Sequence, residues 1–259
     1  MERFDIGLIG VFAMVGLMAL RVPVGISLAI TSIGGIWAAT NLGAALGMMR
    51  AIPYQFVANW SFSAIPMFLL MGYIASHAGL TSGLFRLMRL LLHKVPGGLA
   101  CSTVGACALF AAASGSSVAT AAGMGKITIP EMRKAGYDDG LATGCVAAAG
   151  TLGSLIPPSV IMVIYGVFTQ APIGKLFMAG FLPGILTALV YMVMIVVRVK
   201  LKPSLAPSTK ETRLPGELRG ALAESWPLPV LVMGVIGGIY AGIMTPTEAG
   251  AVGAALATV

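Results

Sequence analysis

The chain has 259 residues, of which 58% are hydrophobic and only 10% are charged, whereas charged residues make up about 25% of an ordinary soluble domain. Together with a mean hydropathy of +0.94, this composition excludes a soluble globular domain, which could not bury so much apolar surface. The formal net charge of +7 comes from sixteen Lys and Arg residues against nine Asp and Glu. Because the basic residues lie between apolar segments and form no single patch, they indicate membrane topology and contact with lipid, with no nucleic-acid partner.

Seven apolar segments follow one another along the chain, and each is a candidate for entering a bilayer, which takes about 20 residues per crossing helix. The first lacks a basic leader region and a cleavage site, so we expect it to be retained as a membrane span. The segments are residues 6–20, 22–39, 56–76, 97–130, 141–168, 176–197 and 227–259.

The basic residues between these segments predict an orientation, because Lys and Arg accumulate in cytoplasmic loops. A periplasmic N-terminus leaves only Arg3, Arg50 and Lys175 outside the cell. This arrangement requires that residues 97–130 make no net crossing, since basic residues flank them on both sides. The residues then predicted to be inside are Arg21, Arg86, Arg89, Lys94, Lys126, Arg133, Lys134, Arg198, Lys200, Lys202, Lys210, Arg213 and Arg219.

Residues 97–130 therefore enter the membrane and return, either as two short spans or as a re-entrant helical hairpin. Their centre reads Ala113-Ser114-Gly115-Ser116-Ser117, and a turn of that polarity facing lipid would leave backbone groups without hydrogen bonds. We therefore predict a re-entrant hairpin packed inside protein. Before it, residues 80–94 show the pattern of an amphipathic helix lying in the cytoplasmic interface.

A polar, proline-containing stretch, residues 200–225, is predicted to be a cytoplasmic linker between two halves. After it, residues 241–253 resemble residues 19–29, since each begins at a helix end and continues through Pro into a helix of small residues. By the count of spans, the two copies have opposite orientations, as in the inverted repeats of secondary transporters. The sequence stops at Val259 within an apolar run, and we predict that it is truncated.

The predicted hairpin tip, residues 114–117, is the first candidate site. Two half-helices that meet there expose unpaired carbonyls and amides, and the serine hydroxyls add neutral oxygens. Such oxygens suit a small hard cation such as Na⁺, while the amides at the start of the second half-helix suit an anion. The alternative is that Ser and Gly only allow close helix packing.

The second candidate site is Gly150-Thr-Leu-Gly-Ser-Leu-Ile-Pro-Pro-Ser159, in the middle of an apolar segment. Pro157 and Pro158 remove two amide donors, so we expect a broken helix whose carbonyls from Gly150 to Ile156 can bind a cation. The alternative is a packed proline kink. No Asp or Glu lies deep in a predicted span, which favours Na⁺ coupling over a proton relay.

The sequence contains no nucleophile-and-base pair, no Gly-rich nucleotide loop and no Cys and His cluster with metal-ligand spacing. The three cysteines lie in apolar surroundings, and we expect them to be buried and inert. These observations predict that the chain is not an enzyme and holds no cofactor.

Three motifs occur in order: residues 109–122 around the hairpin tip, Ile129-Pro-Glu-Met-Arg-Lys-Ala-Gly-Tyr137, and residues 150–159. Together with Arg21-Val-Pro-Val-Gly25 and Met244-Thr-Pro-Thr-Glu-Ala249, they closely resemble the DctM-like large permease of TRAP transporters. The resemblance implies an all-α polytopic protein of the bacterial inner membrane. It also implies an elevator-type secondary transporter built from inverted repeats, with a re-entrant hairpin and a broken transmembrane helix.

The same resemblance implies two partners, a small four-helix permease subunit and a periplasmic substrate-binding protein. It further implies import of a small organic anion, such as a C4-dicarboxylate or a sugar acid, with Na⁺ as the coupling ion. Carried over to this sequence, the expected Na⁺ site comprises Ser114, Gly115, Ser116, Gly150, Thr151, Gly153 and Pro157, and the neighbours expected to face the substrate are Ser117, Pro158 and Ser159.

On this basis we expect six parts along the chain. They are scaffold helices in 1–78, an interfacial helix in 79–96, the re-entrant hairpin in 97–132, the broken helix and following span in 133–199, the linker in 200–225 and an incomplete second repeat in 226–259. This sequence departs from the family pattern in one respect. Members of the family are longer and carry a second inverted half with its own hairpin and a second sodium site.

Two other interpretations stay open at this point. One is a divalent-anion/Na⁺ symporter that works without a binding protein, and the other is a non-transporting membrane fragment that only associates with other subunits. The sequence does not select a substrate.

Overall fold

The structure is a computed structural model that describes residues 3–207 and 217–258, and all regular secondary structure in these residues is helical. The prediction of an all-helical membrane protein is confirmed at this level. The chain divides into two units, with the boundary between Asn59 and Trp60. Lys210 and Arg213, which the sequence places on the cytoplasmic side, lie outside the described residues.

The first unit contains three helices, α1 (Arg3–Ala19), α2 (Val24–Ala39) and α3 (Leu42–Val57). Consecutive helices pack on each other. Asn41 starts α3, because its Oδ1 accepts a hydrogen bond from Ala44 N at 2.8 Å. Of the residues described from 4 to 59, only Ser27 and Ala45 are buried, so this unit exposes most of its apolar side chains.

Helix α3 was not identified from the sequence, which treated most of its residues as a connection. Arg50 and Pro53 interrupt its apolar pattern, and these two residues kept it out of the predicted spans. Pro53 nevertheless lies inside α3, and the chain stays helical after it as far as Val57.

The second unit begins with a short 3₁₀ turn (Trp60–Ser63), followed by α4 (Ala64–His77) and α5 (Leu80–Leu92). Helix α5 is the predicted amphipathic helix. It buries Leu84, Phe85 and Leu90 and directs Arg86 outward, where its guanidinium lies 2.9 Å from Glu224 Oε1.

The next two helices, α6 (Gly98–Ser114) and α7 (Ser117–Lys134), are separated only by Gly115 and Ser116. Fourteen of the 17 residues of α6 are buried. This helix contacts α4, α5, α7, α8 (Asp139–Gly150) and α9 (Leu152–Leu155), and its many Ala, Gly and Ser residues allow these neighbours to approach closely.

Helices α8 and α9 are followed by four non-helical residues, 156–159, and by α10 (Val160–Thr169). The direction of the chain changes by 41° between Asp139–Leu155 and Val160–Thr169. The predicted interruption of this helix is therefore present, and it occurs at Pro157 and Pro158, which cannot donate backbone hydrogen bonds.

The remaining helices are α11 (Ile173–Leu201), α12 (Glu217–Ser225), α13 (Pro227–Tyr240) and α14 (Pro246–Leu256). A 3₁₀ turn (Pro203–Leu205) follows α11. The last nine residues of the predicted linker are thus helical. Helix α14 starts with a capping box, since Thr245 and Glu248 each bond the other's backbone amide.

By length and composition, two helices of the described chain can cross a membrane, Ile173–Leu201 and the continuous stretch Glu217–Tyr240. Counting each bent pair of helices as one further span gives up to four. Only 22% of the apolar window in α11 is buried, so most of this helix presents hydrocarbon side chains to its surroundings, as a lipid-facing helix does.

The core of the second unit surrounds α6. Its largest fully buried side chains include Phe68, Phe110 and Phe177, and the rings of Phe68 and Phe177 meet edge to face with centroids 6.3 Å apart. The three cysteines are free and buried, as expected. The Cys145 thiol donates a weak hydrogen bond to Ala100 O at 3.2 Å.

Candidate functional site at the hairpin tip and the helix break

The turn between α6 and α7 is tight because Gly115 adopts a left-handed conformation, with φ of 59°. Its amide donates to Ala111 O at 2.9 Å and so ends α6. Ser116 then starts α7, since its Oγ accepts from Ala119 N at 3.3 Å. The sequence Gly-Ser at this point thus ends one helix and begins the next within two residues.

A buried hydrogen bond joins the two sides of this turn. The hydroxyls of Ser114 and Thr120 lie 2.7 Å apart, and these residues are 1% and 0% exposed. Because a hydroxyl donates one hydrogen bond and can accept two, this pair still has acceptor capacity. The pair fixes the end of α6 against the first turn of α7.

The helix break is held by bonds of its own. Ile156 N donates to Leu152 O at 2.8 Å, and Ile156 then turns to an extended conformation, which the following proline favours. Pro157 and Pro158 are buried and joined by a cis peptide bond. The hydroxyl of the fully buried Ser159 donates back to Ser154 O at 2.8 Å.

The hairpin tip and the helix break touch each other through backbone. Val160 N, at the start of α10, donates to Gly115 O at 3.0 Å. A Cβ on Gly115 would lie 2.7 Å from Pro158 O, and one on Gly153 would lie 2.7 Å from Ser116 O. Since real Cβ atoms do not approach so closely, glycine at 115 and 153 is what allows the two breaks to meet.

The structure therefore brings together most of the residues predicted for the site. Gly153 lies against the backbone of Ser116 and Ser117, and Gly115 lies against Pro158 and Ser159. Gly150 packs on α7 one turn farther along, where its Cβ would lie 2.7 Å from Ala121 Cβ. We name this contact between residues 114–117 and 150–160 the junction.

Thr151 differs from the other predicted residues. It is exposed, and its hydroxyl donates to Ala148 O at 2.6 Å and lies 3.3 Å from the hydroxyl of Tyr191 in α11. Its described hydrogen bonds thus go to its own helix and to α11, not to the hairpin tip.

Sequence reasoning missed three residues at or beside the junction: Thr120, Tyr191 and Gly72. A Cβ on Gly72 would lie 2.5 Å from Ser114 Cα, so α4 packs directly on the hairpin tip. Thr120 could have been found as a polar residue in the first turn after the tip. Gly72 and Tyr191 are separated from their partners by about forty residues, and no local pattern indicates such contacts.

The polar groups of the junction are uncharged, and their hydroxyl and carbonyl oxygens are ligands that a hard cation accepts. No group of three or more His, Cys, Asp or Glu that could hold a metal ion occurs in residues 3–207 and 217–258. The oxygens of Ser116 and Pro158 lie at the contact itself, so the donor set fits a small monovalent cation better than zinc or another thiolate- or imidazole-binding metal.

Residues 11–259 match the family model described as "Tripartite ATP-independent periplasmic transporter, DctM component". The chain belongs to this family. It is therefore an integral membrane protein of a transporter family and not a member of an enzyme family. The resemblance based on the three motifs is confirmed.

Relatives with named substrates match nearly the whole chain. The isethionate TRAP transporter permease protein DctMQ of Oleidesulfovibrio alaskensis is 39% identical over 247 residues, covering 95% of this chain and 38% of that protein. The C4-dicarboxylate TRAP transporter large permease protein DctM of Vibrio cholerae is 37% identical over 249 residues, covering 93% and 52%. The ectoine TRAP transporter large permease protein TeaC of Halomonas elongata is 35% identical over 245 residues, covering 93% and 56%. The chain thus spans about half or less of the length of these relatives.

Proposed function

We propose that this chain forms part of the large permease of a sodium-coupled, binding-protein-dependent transporter that imports a small organic anion. Its proposed partners are a small permease subunit and a periplasmic substrate-binding protein. The proposed sodium site is the junction, where Ser114, Gly115 and Ser116 face the break that contains Gly150, Thr151, Gly153 and Pro157. The elevator motion and the periplasmic N-terminus belong to the same proposal.

The observation that carries this proposal is the backbone contact between two interrupted helices inside one unit. Inside a transmembrane helix the backbone groups pair with one another. An interruption at membrane depth leaves some of them unpaired, and it is tolerated where it is packed in protein or lines a polar site. Here the turn between α6 and α7 contacts the break between α9 and α10, and the hydrogen bond from Val160 N to Gly115 O at 3.0 Å joins them. Packing alone explains the glycines, whereas a bound cation also explains why two such breaks face each other.

The proposed anion site lies beside the cation site. Helices α7 and α10 both begin at the junction, and the start of a helix carries partial positive charge. Ser117 stands at the start of α7 and is partly exposed, which supports its assignment to the substrate. Ser159 stands at the start of α10 but is fully buried. The named substrates of the relatives range from isethionate and C4-dicarboxylates to ectoine, so we propose the class of small organic acids and no single compound.

Uptake into proteoliposomes tests the proposal. The permease that contains this chain is reconstituted with a small subunit and a cognate binding protein, and labelled organic acids are supplied with and without an inward sodium gradient. We expect uptake to require both sodium and the binding protein. Uptake that is independent of sodium contradicts the proposed coupling, and uptake without the binding protein identifies the simpler symporter.

One substitution locates the sodium site, and it has a matched control. Ser116→Ala removes a junction oxygen and a helix cap, so its control is Asn41→Ala, which removes only a helix cap. We expect Ser116→Ala to raise the sodium concentration for half-maximal uptake about tenfold, as loss of one ligand of about 1.4 kcal/mol does. Thr151→Val should change this concentration little, because the described bonds of the Thr151 hydroxyl go to Ala148 O and to Tyr191. Equal effects of Ser116→Ala and Asn41→Ala contradict the site.

A further inference from the structure

A cavity of about 360 Å³ lies in the second unit where the end of α5, the start of α6 and the end of α11 come together. Its volume is in the range of small-molecule sites. Helix α6 has 17 residues and rises about 1.5 Å per residue, so this cavity lies about 24 Å from Ser114. It is therefore separate from the junction.

The wall of this cavity is positively charged. Arg89, Lys94 and Lys200 line it together with His93, and none of its described lining residues is acidic. Arg89 Nη1 lies 3.9 Å from Glu131 Oε2, and Glu131 is shared with Lys134 at 3.4 Å. The His93 ring is engaged through Nδ1 with Leu90 O at 2.9 Å. Positive charge thus remains in excess around the cavity.

The start of α6 adds to this excess. Gly97 begins the helix without a side-chain cap, and Gly97 and Gly98 both line the cavity. Leu99 N donates to the Tyr137 hydroxyl at 3.3 Å, and the first-turn amides together carry the partial positive charge of a helix start. Because α6 is largely buried, water screens this charge poorly.

Basic residues at helix ends also have a role that needs no ligand. Lys200 lies in the last turn of α11, where a cation offsets the negative end of that helix. Arg89 has the same role in the last turn of α5. Neither role accounts for the start of α6, which brings a further partial positive charge to the same cavity. An anion in the cavity is attracted by this helix start and by the basic side chains together.

We propose that this cavity binds the phosphate group of an anionic ligand at the membrane surface, with Arg89, Lys94 and Lys200 as its counter-charges. Helix α11 has 29 residues and is about 43 Å long, which exceeds the hydrocarbon thickness of about 30 Å. The cavity at its charged end therefore lies within reach of lipid headgroups. Basic pockets between transmembrane helices bind anionic headgroups in this way.

Native mass spectrometry of the purified protein in nanodiscs tests this proposal, with phosphatidylglycerol and phosphatidylethanolamine as the two lipids. The variant Arg89→Gln/Lys94→Gln/Lys200→Gln is compared with Arg86→Gln/Arg198→Gln/Lys202→Gln, which removes the same charge from the same region outside the cavity wall. We expect retention of phosphatidylglycerol to fall about tenfold or more in the first variant, and less than about twofold in the control.

A second arm separates a lipid from free phosphate. Inorganic phosphate is added to the detergent-solubilised protein against chloride at equal ionic strength, and the unfolding temperature is measured. A phosphate-dependent rise without preferential lipid retention assigns the cavity to a soluble phosphate compound. Should the triple variant fail to fold, Lys94→Gln/Lys200→Gln is used, because both side chains are exposed. Equal losses in cavity and control variants, or no preference for phosphatidylglycerol and no effect of phosphate, overturn the proposal.

Discussion

The two units of the chain use glycine in different ways. In the first unit, a Cβ added to most glycines would meet nothing within 4 Å, whereas at the junction in the second unit it would meet backbone atoms at 2.7 Å. Side chains such as Phe4, Phe12 and Trp37 are exposed in the first unit. The open glycines of the first unit are Gly7, Gly10, Gly16, Gly25, Gly34, Gly35 and Gly47.

This difference indicates that contacts within the chain fix the geometry of the junction more than that of the first unit. Between helices in lipid, association depends on close van der Waals packing and hydrogen bonds, because hydrocarbon tails are as apolar as leucine. The junction has both kinds of contact within one unit, so its shape is fixed by the chain itself. The helices of the first unit leave most of their surface without such contacts, and we expect lipid or other protein to cover that surface.

The largest effect is expected for Gly115→Ala. Alanine at this position must adopt a left-handed conformation and also displace Pro158 O, which its Cβ would approach to 2.7 Å. Together these terms cost about 2–5 kcal/mol. The midpoint of thermal unfolding in one detergent, measured for the purified variant and the unchanged chain, checks this expectation.

Gly242→Ala is the matched control for this substitution. Gly242 has φ of 71°, but a Cβ there would meet nothing within 4 Å, so its replacement includes only the conformational cost of about 1–2 kcal/mol. If the two variants unfold at the same temperature, the contact between the hairpin tip and Pro158 contributes nothing and the contrast between the units is lost.

A smaller effect is expected for Gly153→Ala, whose φ is ordinary. Its Cβ would lie 2.7 Å from Ser116 C and O and 2.8 Å from Ser117 N, and because these are backbone atoms the junction must separate to admit it. We expect a loss of about 1–3 kcal/mol, as for other overpacked positions. Thermal unfolding measures the stability, and sodium-dependent uptake measures the effect on the proposed site.

Two open glycines provide the comparison for Gly153. Gly35 in α2 and Gly144 in α8 have nothing within 4 Å of an added Cβ, so alanine should be neutral or stabilise each helix by up to about 1 kcal/mol. A loss of stability at Gly35 equal to that at Gly153 would show that the first unit is packed as closely as the junction.

The features that could be predicted from the sequence are those set by neighbouring residues. Pro157 and Pro158 remove two successive amide donors and so predict a helix break, whereas the single prolines Pro53, Pro130 and Pro183 lie inside helices. Gly115 and Ser116 are residues that end and begin helices, so a turn at 115–116 followed from their order. The amphipathic pattern of α5 is likewise local, since its apolar residues recur at helical spacing.

The features that could not be predicted depend on tertiary contacts or on weak local signals. The approach of Gly72 to Ser114 and of Tyr191 to Thr151 joins residues about forty positions apart. Helix α3 has only a weak apolar pattern, because Arg50 and Pro53 interrupt it. The membrane orientation and the division into inverted repeats stay predictions, because neither follows from the contacts described.

The smallest effect is expected at the buried pair of Ser114 and Thr120. Ser114→Ala removes one partner of a 2.7 Å hydrogen bond and leaves the Thr120 hydroxyl to turn toward a carbonyl of its own helix, as threonine commonly does. We expect a loss of about 1 kcal/mol. The unfolding temperatures of Ser114→Ala, Thr120→Val and the double variant measure the interaction between the two side chains.

The double variant should be more stable than the sum of the single losses indicates, because the second substitution removes a hydroxyl that has already lost its partner. Ser102→Ala is the control, since the Ser102 hydroxyl is equally buried but donates only to Gly98 O of its own helix. Simple additivity would show that the hydrogen bond does not hold α6 against α7. The close fit of the hairpin tip would then depend on its glycine contacts and on the hydrogen bond from Val160 N to Gly115 O, and the serine hydroxyl would be available to a cation without loss of structure.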